Sequence, residues 1–199
     1  MGTARRLTAR GRERRDELVQ FATKRFAENG FHPTSVSEIV DGVGVGKGVF
    51  YWYFPSKNDL LREILREALY DLRAAQAGAM VDASDPLHRL ELGIRASLAW
   101  SAANPDILRL AMFSWTEEGF AQAMQRGREI AIGDTAQHIR AAIDAGQIGS
   151  GDATMMATAI RGVTDELARE YISGGSDLDD DVIEMAVRMC LYGLRGVAD

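Results

Sequence analysis

The stretch Gly42-Val43-Gly44-Val45-Gly46-Lys47-Gly48 sets four glycines around one lysine, a composition that could cradle a phosphate on backbone N–H groups. The spacing argues against it. A phosphate loop of the Walker kind needs a glycine five residues before Gly46, where Asp41 stands, and Ser or Thr after Lys47, where Gly48 stands. A dinucleotide fingerprint begun at Gly42 or Gly44 puts its third glycine on Lys47 or Val49, and no strand precedes it. What remains is Lys47 followed by the aromatic run Phe50-Tyr51-Trp52-Tyr53-Phe54. Helical neighbours point about 100° apart, so the five rings cannot all face one core. A cation and aromatic hydroxyls on the free face of a short helix suit phosphates and base edges.

Other reactive side chains form no catalytic pattern. His32, His88 and His138 are scattered, Cys190 stands alone, and Asp179-Asp180-Asp181 reads as compensation of a helix dipole. No catalytic residue, metal ligand or cofactor is expected, and a small helical enzyme is the weaker alternative.

The chain has 199 residues, with 46% hydrophobic and 26% charged side chains, ample for a core. One cysteine excludes an internal disulfide framework. The start Met1-Gly2-Thr3-Ala4-Arg5-Arg6 is basic with no apolar run behind it, and no apolar stretch reaches the roughly 18–20 residues of a membrane span. A cytoplasmic location and no membrane partner are expected. The net charge of −6 is unevenly spread. Residues 1–60 hold ten Lys/Arg against seven Asp/Glu, and residues 61–199 hold thirteen against twenty-two. A basic head on an acidic body suits a small polyanion-binding module, although a solvated tail beside an ordinary acidic surface would look the same.

The elements that position these residues read as helices throughout, an all-α chain of about nine. Residues 1–11 form a basic arm, in which Arg5-Arg6-Leu7-Thr8-Ala9-Arg10 is either a minor-groove arm or a solvated tail. A first helix covers about Arg12 to Asn29, stopped at Gly30. Ser35 with Glu38 makes a capping box for a second helix that ends at Gly42 and Gly44. A third spans Lys47 to Phe54 before Pro55, and Ser56 with Asp59 opens a long fourth. Ile39, Val40, Val43 and Val45, answered by Phe50 and Phe54, supply the apolar crossing of a helix-turn-helix, with Gly44 at the turn. Helices five to nine follow over Pro86–Ala103, to Trp115, Glu118–Ala145, Asp152–Ser173 and Asp179–Val197.

With Phe26, Gly30, Thr34, Ser35, Ile39, Val40, Val43, Gly44, Val45, Gly46, Lys47, Gly48, Val49, Phe50, Tyr51, Tyr53, Phe54, Ser56, Lys57 and Leu60 in register, residues 12–61 resemble the DNA-binding segment of the tetracycline-repressor (TetR) family. The resemblance implies a DNA-binding domain over 12–57 and an effector-binding and dimerisation domain over 58–199. It implies a homodimer on palindromic double-stranded operator DNA, acting as a repressor. Gly46, Lys47, Gly48, Val49, Tyr51 and Trp52 would lie on or beside the recognition helix, and Ser35, Ser37, Tyr53 and Lys57 would hold phosphates. Gly46 replaces a frequent capping Ser and Val49 a frequent Thr, two departures expected to alter operator preference.

The resemblance further implies an effector cavity and a dimer interface. Trp100, Met112, Phe113, Trp115, Phe120 and Met124 are the apolar candidates for a largely apolar small molecule, with His138 as polar anchor and Asp165 or Glu166 as lesser ones. Met156, Ile160, Val163, Leu167 and Tyr171, with Val182, Met185, Ala186, Met189 and Gly193, form stripes on the last two helices that would meet as a four-helix interface or serve as monomer core. A regulator without a small-molecule effector, acting through protein contacts, is the alternative.

Overall fold

The computed structural model describes residues 8–174 and 178–196, and within them every regular element is helical. In chain order these are α1 (Ala9–Asn29), α2 (Val36–Val43), α3 (Lys47–Tyr53), α4 (Lys57–Met80), α5 (Pro86–Ala103), α6 (Pro105–Thr116), α7 (Glu118–Asp144), α8 (Ala153–Gly174) and α9 (Asp180–Gly196). The chain divides into two compact units, and the division falls inside α4, between Glu67 and Ala68.

Local chemistry sets most boundaries. The α1 helix begins three residues before the expected Arg12, because Thr8 caps it by accepting the Gly11 N–H at 3.1 Å. Residues 8–10 of the expected arm are therefore the cap and first turn of a helix, while Arg5, Arg6 and Leu7 lie outside the described residues. Ser35 accepts the Glu38 N–H at 3.1 Å and starts α2. Gly44, in the left-handed region at φ 71°, ends it. At α4 the capping is reciprocal: Ser56 Oγ accepts from the Asp59 N–H at 3.1 Å and donates to the Asp59 carboxylate at 2.7 Å. Asp85 accepts the His88 N–H at 2.7 Å at the head of α5, just before Pro86.

The first unit packs α1, α2, α3 and the start of α4 around Leu18, Ala22, Phe26, Ile39, Val40, Phe50, Phe54, Leu60, Leu61 and Ile64, all buried. The Gly42 backbone lets α2 approach α1 under the Phe21 ring. The second unit has its core where α5, α7, α8 and α9 meet, built on Leu90, Ile94 and Leu98, on Ala136 and Ile139, on Ala157 and Ile160, and on Ala186 and Val187. Alanines at the α7–α8 contact (Ala136, Ala142, Ala153, Ala157) let these two helices come close. Arg95 of α5 adds ion pairs to Glu91 and, across to α9, to Glu184 at 2.7 Å.

Candidate nucleic-acid interface

The α2–α3 pair is held by its apolar side. Phe50 is fully buried and Phe54 nearly so, their rings 5.8 Å apart, and they pack with Ile39 and Val40. One residue further round the helix the environment inverts: Tyr51 is 54% exposed and Trp52 53% exposed. Two large aromatics in water on a seven-residue helix gain nothing from the unit's own core. The Trp52 indole stands edge-on to the Tyr53 ring, centroids 4.5 Å apart and planes at 87°, so its direction is set by its neighbour.

Lys47, Gly46 and Gly48 are exposed beside these rings, and Val49 is half-buried. Gly46 has φ −79° and ψ 155°, the extended geometry of an N-cap, and makes no side-chain cap bond. A Cβ added at Gly46 or Gly48 would meet nothing within 4 Å. Neither glycine is thus demanded by packing inside the unit. Ser35 is exposed and Ser37 half-buried at the start of α2.

Two residues expected to hold phosphates are used otherwise. The Tyr53 hydroxyl donates to the Gly11 carbonyl at 2.7 Å, tying α3 to the first turns of α1. The Lys57 ammonium donates to the carbonyls of Phe31 (2.7 Å), His32 (3.1 Å) and Thr34 (2.8 Å), and lies 4.4 Å from the Phe31 ring centroid. All three ammonium protons are engaged, so Lys57 gathers the loop before α2 rather than presenting a free cation. Its burial pushes its pKa below the ordinary lysine value.

The site's framework also rests on residues not singled out by the sequence reading. Arg15 of α1 is mostly buried, lies over the Phe54 ring, and ion-pairs with both Glu63 and Glu67, one turn apart on α4. Burial opposes its charge, yet the Glu67 and Glu63 carboxylates outweigh that and raise its pKa. Arg25 clamps Glu38, whose carboxylate is thereby taken from the reciprocal half of the α2 capping box. Arg14 reaches the Val43 carbonyl at 3.5 Å. The signal was present: counting back from Leu18, Ala22 and Phe26 by helical steps puts Arg15 on the inward stripe of α1.

The profile described as bacterial regulatory proteins, tetR family, matches residues 18–64, from α1 into α4. Similarity to TetR-family regulators is thus carried by 47 of the 199 residues, those of α1 to the start of α4. The repressor KstR2 of Mycobacterium tuberculosis (strain ATCC 25618 / H37Rv) is 36% identical over 86 residues, 43% of this chain and 43% of that protein. The regulator AcrR of Shigella flexneri is 36% identical over 61 residues, 31% of this chain and 28% of that protein. The aligned segments thus span less than half the length of these curated relatives. The fatty acid degradation regulator FadR from Bacillus halodurans superposes with a TM-score of 0.83 at 20% identity, over 92% of this chain and 96% of that one. A TetR-like regulator from Rhodococcus sp. RHA1 gives 0.78 at 20% identity, over 96% and 100%. At such identities these matches speak for the fold, and they extend it through the second unit.

In that second unit the expected effector residues separate. Phe120 is buried, and Trp100, Met112, Phe113 and Met124 are half-buried, but Trp115 is 40% exposed at the surface. His138 does not join them. It lies 14 residues beyond Met124 on the unbroken α7, about 21 Å along the axis. Its surroundings are Arg89 and Asp134, and burial lowers its pKa.

The expected interface stripes are also divided. Ile160 and Ala186 are core residues, and Met156, Val163, Leu167, Tyr171 and Val182 pack against that core from the side. The expected stripe on α9 mixes inward and outward positions. The outward face of α9 carries Met185 (47% exposed), Met189 (50%) and Tyr192 (61%), next to exposed Gly193. On α8 the exposed apolar residue is Met155. Among the described residues no group of three or more His, Cys, Asp or Glu side chains is placed to hold a metal ion, and no helix is long and apolar enough to cross a membrane.

Proposed function

We propose that the chain is a one-component transcriptional regulator, a repressor, that binds palindromic operator DNA as a homodimer and is released by a small molecule. The exposed pair Tyr51 and Trp52, set beside Lys47 on a helix otherwise anchored by buried Phe50, carries the reading. In this reading α3 enters the major groove. Gly46 and Gly48 leave room for close approach, Val49 meets a thymine methyl, and Lys47 meets guanine or phosphate. Ser35 and Ser37 hold the flanking backbone. Tyr53 and Lys57 act indirectly, by fixing the surfaces that do the touching.

The second copy docks on the outer face of α9. Met185, Met189 and Tyr192 recur at helical spacing, and three large apolar side chains left in water on one face favour burial against a twin. Two recognition helices must then meet successive major grooves, about 34–36 Å apart. An effector held by residues 68–196 would act by binding the DNA-competent and released states with different affinity. Because α4 runs through both units, it offers a continuous path for that difference.

The deciding experiment titrates the purified chain onto DNA from upstream of its own gene at several salt concentrations. A sequence-selective shift with steep salt dependence supports the reading, and absent or salt-insensitive binding ends it.

A further inference from the structure

A charged group in the second unit is not used by its core packing. Arg161 and Asp165 stand one turn apart on α8, with Nε 3.2 Å from Oδ2. That approach is not aligned as a hydrogen bond, and Arg161 Nε is buried with no acceptor at all. A buried guanidinium N–H without an acceptor is costly and rare. Burial also holds Asp165 above the ordinary carboxylate range, against the pull of Arg161, Arg128 and Arg169. Arg169 is already paired with Glu166. Arg128, on α7, makes no hydrogen bond or ion pair among the described residues. The half-exposed Asp165 carboxylate thus lies near two cations and is paired with Arg161 alone.

What lies beside this group is apolar. Phe120, Met124 and Arg128 recur every four residues on one face of α7, about 12 Å from end to end. Phe120 is buried and Met124 half-buried, so this face is turned inward and Arg128 terminates it. A cation pair at the end of an apolar wall is the arrangement that recognises an amphiphilic anion.

We infer that Arg161 and Arg128 form the head-group end of the effector site, and that the effector is a carboxylate on an apolar body. Asp165 is its internal stand-in: a carboxylate already fits against Arg161, and a ligand carboxylate better aligned on Nε takes its place. Asp165, relieved of its partner, turns to solvent or takes up a proton. The inference rests on the reading that residues 68–196 bind an effector. It gives the largely apolar ligand expected from the sequence an anionic head.

The test uses the full chain and isothermal calorimetry with dodecanoate, dodecanol and dodecyltrimethylammonium, each below its micelle concentration. Dodecanoate is expected to bind once per chain, at least tenfold more tightly than the alcohol or the cation. Arg161→Gln should erase that preference, and Arg128→Gln makes the same test should the first variant fail to fold. Asp165→Asn should move dodecanoate affinity the other way, about threefold tighter, because the competing anion is gone. Equal binding of alcohol and carboxylate, no carboxylate binding, or the two α8 variants shifting in the same direction would each overturn the inference. Failure of the parent chain to bind upstream DNA would instead defeat the regulator reading, leaving the carboxylate preference to be judged by calorimetry alone.

Discussion

The Phe21 ring lies so close to Gly42 that a Cβ on residue 42 would fall 2.0 Å from its Cζ and 2.4–2.5 Å from both Cε atoms. Gly42 has no positive φ, so the backbone alone would accept alanine. Two effects therefore compete at this position. Alanine in a helix is favoured over glycine by about 1 kcal/mol, whereas overpacking costs about 1–3 kcal/mol. The ring must leave the α1–α2 contact to make room, so G42A is expected to destabilise by about 1 kcal/mol. In an F21A background the clash is gone and G42A should stabilise by a similar amount. Urea denaturation of the four proteins of this cycle reads the sign change. The same sign in both backgrounds would show that Phe21 does not set the glycine.

Gly46 is the opposite kind of glycine. Its dihedrals are those of an N-cap, the space around it is open, and it lacks the side-chain oxygen that would accept an N–H of the next turn. G46S should raise the unfolding free energy read from urea melts modestly, by a few tenths of a kcal/mol. If the residue is kept small for DNA, the same variant should bind the upstream site differently from the parent. A stabilised variant with unchanged operator selectivity would remove Gly46 from the interface.

Arg15, Glu63 and Glu67 join α1 to α4 within the first unit. Replacing Arg15 by Met leaves Glu67 without its partner and Glu63 with Arg66 alone, and a loss of about 1–2 kcal/mol is expected. Glu63 sits below the ordinary carboxylate value: the Arg66 hydrogen bond holds it there against its own burial, with Arg15 adding to the effect. A depressed carboxylate stabilises the fold above its unfolded pKa, and that contribution fades as pH falls through the folded value. The parent should therefore lose stability below about pH 4.5 more steeply than an E63Q variant. Parallel acid melts of the two would contradict this.

His138 gives a second pH window with the same direction. Burial, assisted by Arg89, keeps its pKa under the ordinary 6.5. The unfolded chain then binds the proton more readily than the folded one, so stability should fall as pH drops below about 6.5 toward the folded value. An H138Q variant should flatten that part of the curve. The histidine's own titration, followed by NMR, should have its midpoint below 6.5.

These cases also mark what was legible in the chain. Caps and turns were, because Ser35 with Glu38, Ser56 with Asp59, and Gly44 act within four residues of themselves. The inward and outward rings of α3 followed from helical period alone. What escaped was chemistry between distant segments. Tyr53 meets Gly11 across 42 positions and Lys57 meets Phe31 across 26, and no spacing rule reaches so far. On α9 the apolar pattern joined Ala186, which is core, to Met185 and Met189, which are exposed, and passed over Tyr192, which is exposed as well.

Lys47 and Lys57 make the sharpest contrast, since the sequence places the first on the recognition helix and the second on the phosphates. Lys47 is exposed, while Lys57 spends its three donors on backbone carbonyls. A lysine that neutralises a phosphate contributes about 0.9 to the slope of log affinity against log salt. K47M should therefore weaken operator binding and flatten that slope by about 0.9 if the contact is to phosphate. K57M should leave the slope nearly unchanged but cost about 1–3 kcal/mol of folding stability, because three carbonyls lose their partner. K57R should not restore it, as a planar fork cannot reach three carbonyls gathered around a compact ammonium. Binding isotherms at four salt concentrations, paired with urea melts, separate the two roles. A slope change in K57M with parental stability would return Lys57 to the DNA.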